Sequence, residues 1–170
     1  MTSYVALLRA VNVGGTGKLP MATLTDLCRK AGFAGVRTYL NSGNAVFKSD
    51  KSEGQVKSAL EAELKRCAGG PVAVFVRTAK EMAAVHEQNP FPEKPTAKTV
   101  AIFLDRPPTE DTLEKLAGRG NEELRLGSRE IYVYYPDGIS QSKLKLPAES
   151  NGTARNMNTI AKLAEVALKL

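Results

Sequence analysis

A glycine-rich segment near the amino terminus has the residue types of an anion-binding loop. Residues 12–19 read NVGGTGKL, follow an apolar stretch at residues 4–11, and precede Pro20, which suits the first turn of a helix. Backbone N–H groups between a strand and a helix N-terminus can hold a phosphate or a carboxylate. The P-loop pattern is excluded, because Asn12 stands where its first glycine should be and Leu19 replaces the Ser or Thr that holds magnesium. The dinucleotide pattern G-x-G-x-x-G also fails, and the alternative is a turn that needs glycine for its backbone angles.

A second segment with donor groups lies near the carboxyl terminus. Residues 152–156 read GTARN, and Thr153 is predicted to be the N-cap of the last helix. Arg155 would then lie in the first turn, where the positive end of the helix dipole disfavours a cation. A bound anion or a buried carboxylate would offset this conflict. The sequence leaves open whether Arg155 belongs to a ligand site or to a structural clamp.

The formal net charge of +6 is concentrated at the two ends of the chain. Residues 1–48 hold six basic side chains and a single acid, Asp26, and residues 140–170 hold five basic and two acidic side chains. If the ends meet, they form one basic patch, and we then expect Arg155 to lie close to Asn12, Asn41 or Asn44. Ordinary solubility charge is the alternative.

Other kinds of site have little support. With one His and two Cys, a zinc site built mainly from these residues is excluded, and no metal and no cofactor are expected. His86 is predicted to be structural or exposed, because no nucleophilic serine occurs in a recognisable elbow. The carboxylates show no spacing that indicates acid–base catalysis, so catalytic residues stay unknown. Cys28 and Cys67 are predicted to be free thiols on the apolar sides of helices.

Aromatic side chains give limited support to nucleic-acid binding. The consensus of RNA-recognition motifs is absent, since Phe47 is the single aromatic residue of the corresponding strand. Alternation along residues 130–135 places Tyr132 and Tyr134 on one face. This pair is either a small stacking surface or part of an amphipathic edge strand.

Apolar periodicity predicts an α+β fold of two ferredoxin-like halves, each a β-α-β-β-α-β unit with an antiparallel or mixed sheet backed by helices. The first half covers residues 1–78, with the strand at 4–11 central and beside the strand at 45–48. Two capping boxes mark helix starts, Ser52 with Gln55 and Thr78 with Glu81. The predicted elements of the first half are strands at 4–11, 36–40, 45–48 and 72–76, and helices at 20–31 and 53–67.

The second half, residues 79–170, repeats this order without an obvious closing strand and ends in a C-terminal helix. We expect both halves to form one compact unit. The predicted elements of this half are strands at 99–104, 124–126 and 130–135, helices at 79–87 and 109–117, a short helix at 140–146, and a final helix that begins near Thr153.

Hydropathy excludes a membrane span, because no apolar run approaches about 18 residues. The run from Tyr4 to Leu8 is too short for a signal peptide, and Arg9 follows it at once. We therefore expect a cytoplasmic protein that does not bind membranes; its oligomeric state is open.

Five ordered motifs resemble the domain of unknown function 1697 family of bacterial proteins. They are LLRAVNVGGTGKLPM at residues 7–21, VRTYLNSGNAVF at 36–47, NPF at 89–91, SKL at 142–144 and TARNMNT at 153–159. The chain departs from the family pattern at Ala10, where the family usually has Gly, and at Met157, where it usually has Trp. The resemblance implies two related ferredoxin-like halves and carries no established activity.

The motif positions and the loop lysine form one candidate anion site. Loops and a helix start that are rich in Asn, Gly and Arg offer donors rather than acids or nucleophiles. This composition favours an anion- or nucleic-acid-binding module, with nucleic acid or a small anionic ligand as partner. An enzyme that acts on a small phosphorylated or carboxylated metabolite and a structural or protein-interaction role are the alternatives. The candidate residues are Arg9, Asn12, Gly14, Gly15, Lys18, Asn41, Ser42, Asn44, Arg155 and Asn156, and Gly43 is a further motif position.

Overall fold

Eight strands, in two four-stranded antiparallel sheets, and four α-helices make up the part of the chain that the computed structural model describes, residues 1–12 and 18–170. The predicted α+β class is confirmed. The chain divides into two units, Met1–Ala83 with Lys162–Leu170, and Ala84–Ala161. The first unit thus extends past residue 78, where we predicted the boundary, and includes the end of the C-terminal helix.

The first sheet has the strand order β2-β3-β1-β4. The strand at the amino terminus is central and pairs with β3 and β4, so the prediction that it lies inside the sheet and beside the strand at 45–48 is confirmed. The elements are β1 (Thr2–Leu8), α1 (Met21–Lys30), β2 (Ala34–Thr38), β3 (Asn44–Ser49), α2 (Glu53–Ala68), β4 (Val74–Thr78) and α3 (Ala79–Glu87).

The apolar run of β1 explains its central position. Tyr4, Ala6 and Leu8 pack in one core with the inward faces of α1 and α2. Val5 and Leu7 lie on the opposite face of the sheet and are also fully buried. A strand that is buried on both faces needs a continuous apolar sequence, which is what residues 4–8 supply.

Both predicted capping boxes are present. Ser52 accepts a hydrogen bond from the Gln55 backbone N–H, and the Gln55 side chain accepts one from the Ser52 N–H. Thr78 and Glu81 make the same reciprocal pair at the start of α3. These bonds satisfy N–H groups that a helix start leaves without a partner.

The two cysteines differ in their environments. Cys28 is buried as predicted, and burial raises the pKa of its thiol to about 12. Cys67 is exposed, so its predicted burial is wrong. It lies almost one turn beyond Leu64, the last buried position of α2.

Side chains of α2 bind the main chain of the edge strand β4. The Glu61 carboxylate accepts a hydrogen bond from the Val74 N–H at 3.0 Å, and the Lys57 ammonium donates one to the Val74 carbonyl. Lys57 and Glu61 also form an ion pair at 3.2 Å. Both main-chain polar groups of Val74, the N–H and the carbonyl, therefore have partners on α2.

The second sheet has the same strand order as the first, β6-β7-β5-β8. A closing strand is present at residues 153–156, where we predicted none, and it pairs with the central strand β5. Strand β7 lies between β6 and β5, so an edge position for Tyr132 and Tyr134 is wrong. The elements are β5 (Thr99–Phe103), β6 (Glu123–Leu126), β7 (Glu130–Tyr134), β8 (Thr153–Asn156) and α4 (Met157–Leu168).

The helices predicted at residues 109–117 and 140–146 are wrong. Only short 3₁₀ turns occur there, at Glu110–Leu113 and Ile139–Gln141. Ala117 and Lys145 exchange two backbone hydrogen bonds, at 3.0 and 2.7 Å, which hold both segments in an extended bridge. This long-range pairing overrides the local helical pattern.

Among the described residues, no helix is both long enough and apolar enough to cross a membrane.

The capping box of α2 provides a test of local stability. We expect Ser52→Ala to lower the free energy of unfolding by about 0.5–2 kcal/mol, because the Gln55 N–H loses its acceptor. Ser58→Ala, an exposed position inside the same helix, is the matched control and should be neutral or slightly stabilising. Urea denaturation measures both, and equal effects of the two substitutions would contradict a role for the cap.

Candidate functional site

The side chain of Asn12 joins three main-chain segments of the first unit. Its Nδ2 donates to the carbonyl of Leu19 at 2.8 Å and to the carbonyl of Asn41 at 2.7 Å. Its Oδ1 accepts from the Leu19 N–H at 2.6 Å. We call these three bonds the Asn12 clamp. It closes the ends of the glycine-rich segment on each other and attaches them to the turn between β2 and β3.

The backbone around the clamp is in an unusual conformation. Ala10 and Asn12, on the chain that leaves β1, have φ of 55° and 56°, and Leu40 in the adjacent turn has φ of 63°. Within residues 1–12 and 18–170, these are the non-glycine residues with positive φ. Left-handed backbone costs about 1–2 kcal/mol per residue and tends to concentrate at functional sites.

The turn at residues 41–44 packs tightly against the end of β1. Asn44 is fully buried, and its Nδ2 donates to the Tyr39 carbonyl and to the Ser42 hydroxyl. Gly43 has φ of 88°, and a Cβ there would lie 2.5 Å from Val11 Cγ2. Glycine is therefore required at this position, and the Asn44 amide serves the turn rather than a ligand.

Two cations flank the clamp. Arg9 and Lys18 are exposed, and neither side chain has an ion-pair partner among the described residues. Lys18 directly precedes Leu19, and the Arg9 N–H donates to the Ala73 carbonyl beside β4 at 3.0 Å. Gly14 and Gly15, which we predicted as backbone donors, lie outside the described residues. Of the predicted site residues in this part of the chain, Arg9, Lys18, Asn41 and Ser42 have exposed side chains.

Arg155 and Asn156 belong to the second unit, and their local structure differs from the prediction. Thr153 is not an N-cap, because residues 153–156 form β8. The cap of α4 is Asn156, whose side chain accepts from the Thr159 N–H at 3.0 Å. Arg155 therefore precedes the helix, and the expected conflict with the helix dipole is wrong.

The Arg155 guanidinium is buried rather than exposed. The residue is 7% exposed, and its Nη1 donates to the Thr153 hydroxyl at 2.8 Å and to the Ala154 carbonyl at 2.9 Å. Burial lowers the pKa of Arg155 to about 10, so the group stays charged at neutral pH. The expected proximity of Arg155 to Asn12, Asn41 or Asn44 joins residues of the two units and stays a prediction.

Two further residues singled out in the sequence, Tyr132 and His86, lie in different environments. Tyr132 is buried, and its hydroxyl donates to the Val85 carbonyl at 2.9 Å, so it offers no stacking surface. His86 is exposed, which is one of the two alternatives predicted for it. Within the described part of the chain, no group of three His, Cys, Asp or Glu side chains could hold a metal ion.

The sequence contained one signal for the left-handed backbone that we did not use. Ala10 stands where the family resemblance places Gly, and glycine adopts φ of 55° without strain. Leu40 carried no such signal, since leucine does not favour this conformation. The other departure from the family pattern, Met157, is a buried core position at the start of α4.

The comparisons with known proteins agree with an α+β chain that carries two four-stranded antiparallel sheets. The chain belongs to the family described as protein of unknown function (DUF1697), whose model matches residues 1–132, so the resemblance inferred from the motifs is confirmed. The motifs at residues 142–144 and 153–159 lie beyond the matched residues.

One solved structure extends the likeness to nearly the whole chain. It is the conserved bacterial protein SP0830 from Streptococcus pneumoniae, with a TM-score of 0.80 and 26% sequence identity over 98% of both chains. No curated protein matches the chain at a significant level.

The Asn12 clamp predicts a specific pattern of stabilities. Asn12→Gly removes the three hydrogen bonds and should lower the free energy of unfolding by about 1–3 kcal/mol. Asn12→Ala should cost about 1 kcal/mol more, because alanine is strained at φ of 56°. Asn41→Ala is the control, since the clamp uses only the Asn41 main chain. Urea denaturation, together with loss of amide-exchange protection at Leu19, measures the effect. An Asn12→Gly variant with an unchanged free energy of unfolding would rule out a stabilising clamp.

The left-handed backbone at Ala10 predicts a stabilising substitution. Ala10→Gly should raise the free energy of unfolding by about 0.5–1 kcal/mol, because relief of strain exceeds the extra entropy of the unfolded chain. The same substitution at Ala62, an exposed position inside α2, should lower it by about 1 kcal/mol. Thermal denaturation compares the two, and a destabilised Ala10→Gly variant would show that the position is unstrained.

Proposed function

We propose that the surface around the Asn12 clamp binds an anionic group, a phosphate or a carboxylate, carried by a small molecule or by nucleic acid. The observation that carries the proposal is the pair of exposed cations, Arg9 and Lys18, which flank the Asn12 clamp in the chain and have no ion-pair partner among the described residues. Arg guanidinium and Lys ammonium groups are the usual protein partners of phosphate and carboxylate.

The local charge supports an anionic ligand. Asp26 is the single acid of residues 1–49, and it lies in α1, where its carboxylate is 3.8 Å from Arg29. The segments that the clamp joins therefore contain no carboxylate that would compete with a ligand. Lys18 precedes α1 in the chain, and the positive end of this helix adds to the favourable field.

The clamp supports the proposal through pre-organisation. The Asn12 amide uses both its donor and its acceptor capacity on main-chain groups, so it does not itself bind the ligand. It fixes the ends of the glycine-rich segment before a ligand arrives, which lowers the entropy cost of binding. Arg9, Lys18, Asn41 and Ser42 are then the side chains that contact the anion.

An enzyme that acts on a phosphorylated or carboxylated metabolite would use the same anion site, and turnover of the bound compound distinguishes it. A purely structural role would leave the clamp without a ligand.

Both cysteines are free thiols, which fits a reducing compartment, and we therefore place the protein in the cytoplasm.

Ligand binding is tested by titration with inorganic phosphate, pyrophosphate and a short oligothymidylate. A ligand of this site should raise stability by about 2.7 kcal/mol at a concentration of about 100 Kd. Arg9→Ala and Lys18→Ala should each weaken binding about tenfold. Arg29→Ala and Lys51→Ala, exposed cations elsewhere in the first unit, are the matched controls.

The salt dependence of these affinities separates the ligand classes. Nucleic acid should bind with an affinity that falls steeply with salt, because phosphate contacts release counterions. A small anion bound through one group should show a shallow dependence. Absence of binding by all three probes at low salt would leave only the structural role.

Arg155→Ala tests whether the site extends to the second unit. If Arg155 contacts the ligand, the substitution should weaken binding more than folding. A structural clamp predicts the reverse, with a loss of roughly 3–5 kcal/mol in stability and an unchanged affinity per folded molecule.

A further inference from the structure

A groove in the second unit begins where β5 leaves its sheet. It has a volume of about 420 Å³, which is within the range of small-molecule sites. Leu104, Pro107, Pro108 and Ala148 give it apolar walls. Its polar lining groups are those of Asp105, Arg106, Thr109, Thr112 and Asn151. None of these residues belongs to the Asn12 clamp or was predicted as a site residue.

The walls of the groove are held by contacts on both sides. The Leu104 N–H donates to the Arg129 carbonyl at 2.9 Å, which fixes the chain as it leaves the sheet. Gly152 packs so closely that a Cβ there would lie 2.6 Å from the Phe103 carbonyl oxygen and 2.8 Å from Leu104 Cδ2. This close approach places Ala148 and Asn151 against the end of β5. The two prolines have a fixed φ, which limits the conformations that this rim can adopt before a ligand binds.

Some polar groups in and beside the groove are already bound within the protein, and others are not. The carboxylate of Asp111, next to the groove, is paired with Lys115 at 2.9 Å and accepts from the Thr109 hydroxyl. Asp105 also has a partner within the protein. The side chains of Arg106 and Asn151 are exposed and have no hydrogen-bond or ion-pair partner in residues 1–12 and 18–170.

We propose that this groove binds a small organic carboxylate with an apolar body. The carboxylate fits the planar guanidinium of Arg106, which binds it through two parallel hydrogen bonds, and the Asn151 amide supplies a further donor. The apolar body of the ligand packs on Leu104, Pro108 and Ala148. A phosphate monoester fits less well, because one guanidinium leaves its second charge without a partner.

A larger groove between α1 and α2, of about 540 Å³, does not have these properties. Its single lining arginine, Arg66, is already paired with Glu63 on the same helix at 2.7 Å, and its other cation, Lys30, shares the groove with the carboxylates of Asp26 and Glu63. It therefore offers no guanidinium without a partner next to an apolar wall.

The proposal is tested with benzoate as the probe and benzamide, its neutral counterpart, as the control ligand. In amide-resonance NMR titrations, benzoate should shift signals of residues 104–112 and 148–152. Benzamide should bind about tenfold more weakly, because it lacks the charge that Arg106 recognises. Arg106→Gln should weaken benzoate binding by about tenfold and leave the fold intact, since its side chain makes no hydrogen bond or ion pair with another described residue.

Arg29→Gln, which removes an exposed guanidinium in the first unit, is the matched control and should leave benzoate affinity unchanged. Equal affinity for benzoate and benzamide, or an Arg106→Gln variant that binds benzoate normally, would overturn the proposal. Shifts near Arg9 and Lys18 without shifts at residues 104–112 would also overturn it, while supporting the anion site at the Asn12 clamp. Binding of benzoate in the groove, with no anion bound at the Asn12 clamp, would overturn only the function proposed for the clamp.

Discussion

The arrangement of loops in the first unit depends on the carboxamide of one residue, Asn12. Its three hydrogen bonds link the exit of β1, the entry to α1 and the turn between β2 and β3. Each bond contributes about 1 kcal/mol net, and only an amide supplies both donors and an acceptor at this position. Ala10 and Leu40, each within two residues of a group in these bonds, have left-handed backbone, which is strained for both residue types.

The basic residues of the candidate site fall into two physical classes. The charged groups of Arg9 and Lys18 are exposed to water, so binding an anion there requires little desolvation. The Arg155 guanidinium has already lost most of its water and is fixed by the Thr153 hydroxyl and the Ala154 carbonyl. A cation that is buried and hydrogen-bonded contributes to the definition of the fold, whereas an exposed cation without a partner is free to take a ligand.

Sequence reasoning predicted the features that depend on neighbouring residues. The capping box of Ser52 needs only a spacing of three, and the apolar run at residues 4–8 is sufficient to place β1 inside its sheet. It failed where distant segments decide: β8 has no apolar alternation and exists because it pairs with β5, and the bridge from Ala117 to Lys145 replaces two predicted helices. At the candidate site the sequence grouped Asn12 with Asn41, but it did not show that the Asn12 amide binds the Asn41 main chain rather than a ligand.

The bonds from Lys57 and Glu61 to the main chain of Val74 have a consequence for association between molecules. An edge strand with free N–H and C=O groups is a template for strand addition by another chain. Here α2 occupies these groups at the start of β4 while its other face covers the core. Loss of α2 would therefore expose apolar surface and an unsatisfied sheet edge in one event. The helix thus protects the first unit from aggregation as long as it stays in place.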